Sequence, residues 1–129
     1  MQPNSKFVEM LCVYESLARL GFPTSSMFLS VDPNRQVVIL LRTKKVDNSD
    51  GDFTIGPFDL SEMTKEELQE KWGEATQWWN SLNPAERNEF WQNSAIRACS
   101  VSLVFALNSE GFYSTQSVPK QTPKQTFDA

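Results

Sequence analysis

Glu66, Glu70 and Glu74 recur at four-residue intervals, a spacing that lines three carboxylates along one face of a helix. Paired carboxylates can run glycoside hydrolysis or hold magnesium for phosphoryl chemistry. The apolar stripe of the same segment (Leu68, Trp72, Ala75, Trp79 and Leu82) falls on another face. The carboxylates are therefore expected to meet bulk water, a poor setting for catalysis. A second cluster, Asp47-Asn48-Ser49-Asp50-Gly51-Asp52, invites a calcium reading. Aligning Gly51 with the glycine of an EF-hand loop puts Val46 first and Pro57 where the bidentate Glu belongs, so the template fails. A hydrated hairpin turn fits better.

What the chain lacks narrows its chemistry further. Its 129 residues include no His, two Cys and five Gly. Without imidazole there is no Ser-His-Asp or Cys-His nucleophile and no zinc site that needs His. Cys12 and Cys99 are too few for a structural zinc site, and neither belongs to a C-x-x-C pair. Neither glycine signature for cradling phosphates, G-x-x-x-x-G-K-[ST] or G-x-G-x-x-G, is present. No cofactor or metal is expected, and the chain reads as a non-enzyme.

Charge is the remaining signal. Between Asp47 and Glu74 nine carboxylates face only Lys65 and Lys71, a net of −7; seven acids and ten bases elsewhere give +3. Such polarisation bears on partner choice and association rate rather than on fold. Asp50, Asp52, Glu66, Glu70 and Glu74 are the residues expected to engage a basic protein partner. Trp78, at the edge of the Trp72–Trp79 stripe, is the candidate anchor, since Trp is enriched at interface hot spots.

The elements that must hold these residues follow from periodicity. Ser5 to Leu20 carries Phe7, Leu11, Tyr14 and Ala18 at helical spacing, capped by Asn4 or Ser5 and closed by Gly21 and Pro23. Met27 to Val31 alternates as a strand, and Asp32-Pro33-Asn34-Arg35 suits a type I turn. Val37 to Leu41 is apolar without interruption, which predicts a central strand covered on both faces, by the chain's own helices or by a second copy in a homodimer. Lys44 to Asp52 reads as a turn, and Phe53 to Ile55 as a short strand ended by Gly56-Pro57. Thr64 and Glu67 form a capping box at the start of the Met63–Leu82 helix. Asn83-Pro84 starts another helix, which becomes apolar on all sides between Ala95 and Leu107 and is expected to be buried. The alternation over 100–107 also suits a strand, and the small residues Ala98, Ser100 and Ser102 tip the reading to helix.

The expectation is one α+β domain over 1–112, order α-β-β-β-α-α, with a three-stranded antiparallel meander packed with helices. A tail over 113–129 repeats Pro-Lys-Gln-Thr from Pro119 and Pro123. No apolar run reaches the roughly 20 residues of a membrane helix, and MQPNSKF lacks a signal-peptide pattern. A cytoplasmic chain without membrane contact, its two cysteines buried as free thiols, is expected.

The order helix, three-stranded meander, helix resembles in outline a double-stranded RNA-binding domain. That family places lysines at the start of its second helix to meet phosphate. Here Glu62, Thr64, Glu66 and Glu67 stand there and would repel RNA, so no direct nucleic-acid binding is expected. The order and the sequence pI of about 4.8 are also similar to those of secretion chaperones, homodimers that hold effector segments. Those add two strands before the last helix that this sequence does not supply. No family follows from either resemblance.

The expected function is a non-catalytic acidic protein-binding module, of the regulatory or accessory type found in phages and mobile elements, whose 47–74 segment engages a basic partner. The alternative within binding is a DNA mimic whose Asp and Glu imitate phosphates. The alternative from another class is a small carboxylate-dependent hydrolase, which needs Glu and Asp converging in a cleft beside aromatics.

Overall fold

The computed structural model describes residues 2–31, 34, 36–60 and 62–114. Most of the expected 32–35 turn, and the tail from residue 115 onward, lie outside the described residues.

Local signals set the ends of the first helix, α1 (Ser5–Arg19). The Asn4 side chain accepts the Lys6 N–H at 2.8 Å. At the other end Gly21 takes φ +103°, a backbone region that favours glycine. Its N–H reaches the Ala18 carbonyl while the Phe22 N–H reaches that of Leu17, a Schellman closure. More than one stripe of α1 is buried: Phe7, Met10, Leu11, Cys12, Val13, Ser16 and Leu17 are all enclosed.

A 3-10 turn (Thr24–Ser26) leads into β1 (Met27–Val31), β2 (Val37–Lys44) and β3 (Asp50–Phe58). They form an antiparallel meander with β2 central. Leu29, Ile39 and Ile55 pair across the three strands on the face turned to the helices, where Val37, Ile39 and Leu41 are fully enclosed. Phe28, Leu40 and Thr54 pair across the opposite face. On that face Val38 is buried and Leu40 half-buried, yet Phe28 is exposed and none of the three joins the main core. The main core of the described residues thus lies on one face, and the cover expected on both faces from the apolar run is only partial on the other.

β3 is longer than the short strand expected. It starts at Asp50, inside the segment read as a turn, and runs through Gly56-Pro57 to Phe58. As an edge strand it tolerates proline, and the pairing slips between Val37 and Ile39 to accommodate it. The turn itself shrinks to 45–49, with Asn48 at φ +73°.

Helix α2 (Lys65–Ser81) begins with its capping box, Thr64 Oγ1 accepting the Glu67 N–H and Glu67 Oε1 accepting that of Thr64. Its C-terminal carbonyls, at Trp79 and Leu82, accept hydrogen bonds from the Arg87 guanidinium. Helix α3 (Pro84–Gln92) carries a second capping box, between Asn83 and Glu86. The single helix expected from Asn83 then divides. The Ser94 hydroxyl accepts the Arg97 N–H and starts α4 (Ala95–Ala98), and α5 (Ser100–Ser109) follows after Cys99.

Helix α1 is the hub on which α2, α3 and α4 pack. Trp91 Nε1–H donates to Ser16 Oγ at 2.8 Å, and the Arg19 guanidinium lies 3.8 Å from the centre of the Trp91 ring. The pairing satisfies the buried hydroxyl of Ser16, the polar residue enclosed in this core. Among the described residues no helix is long and apolar enough to cross a membrane.

The outlying segment 100–109 is a helix, as its small residues suggest, but it is not a buried one. Only Leu107 is enclosed, while Val101 is 81% and Phe105 73% exposed. Helix α5 meets the core through Leu103, Ala106 and Leu107, and Val101 and Phe105 lie on the side turned away from it. Its C-terminal end is the anchored one. The Val46 N–H reaches the Gly111 carbonyl, and Phe112 stacks edge-on against Phe53 at 5.7 Å. Phe112 can lie there because residue 51 is glycine, since a Cβ would stand 2.9 Å from its ring.

Candidate functional site

Helix α2 turns Leu68, Ala75 and Trp79 into the core, which leaves Glu66, Glu70 and Glu74 exposed on its outer surface. Glu67, their neighbour, is committed to the capping box. Hydrogen bonds from the Thr64 backbone and then its hydroxyl hold the Glu67 carboxyl below its ordinary acidity range. Lys71 Nζ lies 3.7 Å from Glu74, while Glu66 and Glu70 have no ion-pair partner among the described residues. Steps of four residues drift around a helix by about 40° each. The next step after Glu74 is Trp78, so the row runs from exposed carboxylates to a half-buried aromatic.

Trp78 is held rather than free. Its ring meets Phe90 edge-on at 5.2 Å and lies 6.0 Å from that of Trp79. It stays half-buried at the end of the acidic row.

Asp50 and Asp52 are placed elsewhere, on the open face of the sheet near the hairpin end. Each sits opposite a cation on β2: Asp52 Oδ1 is 3.0 Å from Arg42 Nε, and Asp50 Oδ1 is 2.8 Å from Lys44 Nζ. Exposed pairs like these add little stability, but they cancel the charge locally. The hydrogen bond and charge of Asp52 raise the Arg42 guanidinium further above its ordinary value. Asp47 is also occupied, because the Ser49 hydroxyl and N–H both donate to Oδ1 and hold this carboxyl low. The described residues contain no group of three His, Cys, Asp or Glu able to hold a metal ion.

Two grooves flank α1. One of about 810 Å³ lies against α3 and α4, lined by Lys6, Glu9, Cys12, Glu89 and Phe90. Burial pushes the Cys12 thiol up, more than its hydrogen bond with Ser94 lowers it, which disfavours the reactive thiolate. Cys99, by contrast, is exposed, so the pair of buried thiols is reduced to one. The second groove, about 310 Å³, includes Tyr14, Glu15, Thr76, Asn80 and Arg87. Burial pushes the Tyr14 hydroxyl up to about 12, so it stays protonated at neutral pH.

The reading of the sequence overlooked the exposed apolar residues Phe28, Val101 and Phe105. For Val101 and Phe105 the uncharged helix pointed to burial, so their exposure was not legible in the pattern. A helix without charge on any side has no solvent face of its own, and the rest of the chain has to be long enough to bury it. No protein-family model, curated protein or solved structure matches the chain.

Proposed function

We propose that this chain is a non-catalytic protein-binding module that meets a basic partner along the outer face of α2. The observation that carries the reading is the division of the acidic segment into two parts. Asp47, Asp50 and Asp52 are taken up by Ser49, Lys44 and Arg42, whereas among the described residues Glu66 and Glu70 have no ionic partner and Glu74 has only a distant one. Negative potential is therefore concentrated on one helix face, where it attracts a cationic surface over about a Debye length. Trp78, at the end of that row, supplies the apolar contact that charge alone does not give. A surface row of this kind favours binding over hydrolysis, which requires carboxylates converging on one bond.

A lysine- and arginine-rich peptide labelled with a fluorophore provides the test. Stopped-flow association with the native chain should slow steeply as salt is added. A variant with Glu66, Glu70 and Glu74 all changed to Lys should lose most of that salt dependence while keeping its circular dichroism and melting temperature. Equal association rates for the two proteins across the salt series would reduce this face to ordinary solvated surface.

A further inference from the structure

The smaller of the two grooves beside α1, about 310 Å³, holds charges of both signs. Glu15 lines it from α1 and Arg87 from α3, yet the two form no ion pair with each other. Each is only partly engaged. Glu15, 22% exposed, accepts the Arg19 Nε–H at Oε2, and Arg19 is held in turn by Asn88 and the Trp91 ring. Among the described residues Glu15 Oε1 is left open. Half-buried Arg87 donates to the Trp79 and Leu82 carbonyls through Nη1 alone. Its Nε–Nη2 edge, the kind that grips a carboxylate with two parallel bonds, makes no hydrogen bond among the described residues.

We infer that this groove binds a free apolar α-amino acid as its zwitterion, with the carboxylate on Arg87 and the ammonium on Glu15. A simple anion would settle against Glu15 and a simple cation against Arg87, and each would leave the other charge half-buried and uncompensated. A zwitterion carries both signs on neighbouring groups and answers both walls at once. Leu11, Ala18 and Trp79 also line the groove and supply an apolar strip for the ligand's side chain. Tyr14 is a further lining residue, and its hydroxyl makes no hydrogen bond among the described residues. Burial keeps that hydroxyl protonated, so it is a donor for the ligand carboxylate. The volume stands at the lower end of the roughly 300–1,000 Å³ of small-ligand pockets, which suits one amino acid rather than a peptide.

Both charged residues also serve the fold. Glu15 pairs with Arg19 within α1, and Arg87 closes the C-terminal end of α2. The fold uses one side of each group, and the ligand takes the other. This inference goes beyond the proposed binding of a basic partner and does not rest on it, since none of Glu66, Glu70 and Glu74 lines this groove.

Titration of the isotopically labelled full chain with L-leucine, followed by amide NMR shifts, tests it. N-acetyl-L-leucine, which lacks the ammonium, and L-leucinamide, which lacks the carboxylate, are titrated beside it. L-leucine should bind with a dissociation constant of about 1 mM or tighter, and each analogue at least about tenfold more weakly. The shifts should fall at Tyr14, Glu15, Thr76, Asn80 and Arg87, which line the groove. Glu15→Gln keeps an acceptor for Arg19, so its circular dichroism should match that of the native chain. It should lose the preference for L-leucine over N-acetyl-L-leucine. Phe105→Ala, outside the groove, should bind as the native chain does. The analogue series needs no variant, so it stands whether or not Arg87→Gln, which removes the closing contact of α2, still folds. No saturable shift with L-leucine up to about 20 mM, shifts centred elsewhere, equal binding of either analogue, or an unchanged preference in Glu15→Gln would each overturn the inference.

Discussion

Helix α1 carries four charged residues yet buries seven of its fifteen positions, whereas α5 carries none and buries only Leu107. The more polar helix is the inner one. The neighbours of each helix account for the reversal. Helices α2, α3 and α4 all pack on α1, so its apolar residues find partners on several sides while Lys6 and Arg19 stay at the surface. Helix α5 meets the core only through its Leu103, Ala106 and Leu107 side, and among the described residues nothing buries Val101 or Phe105. Apolar content states what an element would gain by burial; the remainder of the chain decides whether that gain is realised.

If that account is right, identical chemistry should give very different energies in the two regions. Leu17 in α1 is fully enclosed, and Leu17→Ala should destabilise the fold by about 2–5 kcal/mol, read by urea unfolding. Leu107→Ala should fall in the same range, because Leu107 is the enclosed residue of α5. If Leu107→Ala costs almost nothing while Leu17→Ala costs several kcal/mol, then α5 is not anchored to the core at all and the contrast is deeper than described.

A smaller effect sharpens the α1 side. Burial raises the Tyr14 hydroxyl from its ordinary value near 10 to about 12. A raised value means that the unfolded chain releases this proton first as pH increases. The stability attached to Tyr14 is whole below about pH 10 and is lost progressively between about 10 and 12. Tyr14→Phe keeps the ring that meets Trp72 edge-on at 5.5 Å but cannot ionise. The native chain should therefore lose more than the variant across that interval, by roughly 1–2 kcal/mol because the partial exposure of Tyr14 weakens the effect. Parallel stability curves for the two proteins would show that Tyr14 is hydrated and that this flank of α1 is looser than its packing indicates.

The legible parts of the fold are those determined by near neighbours in sequence. Asn4 and Gly21 bracket α1, Thr64 with Glu67 starts α2, and Asn83-Pro84 starts α3, each through contacts spanning a few residues. The α+β order and the meander followed from changes of period. Features that depend on distant pairing were not legible. Asp50 and Asp52 look like free acids until strand register sets them opposite Lys44 and Arg42. The extension of β3 through Gly56-Pro57 requires knowing that it is an edge strand, and the exposure of α5 requires knowing which of its sides meets the core. Of the acidic row, the spacing showed Glu66, Glu70 and Glu74 together. Trp78 as its fourth member, held by Phe90, depended on α3 folding back.

The smallest expected effect is the most discriminating. Phe105 is the bulkiest residue of α5, and in a buried helix its truncation would cost about 3–5 kcal/mol. At 73% exposure its ring gives up little water on folding, so there is little transfer energy to lose. Alanine is also the better helix former by a few tenths of a kcal/mol, which acts in the opposite direction. Phe105→Ala, compared with the native chain at concentrations low enough to keep both monomeric, should change stability by less than about 0.5 kcal/mol. A loss of several kcal/mol in dilute solution would place Phe105 in the core after all and remove the contrast between α1 and α5.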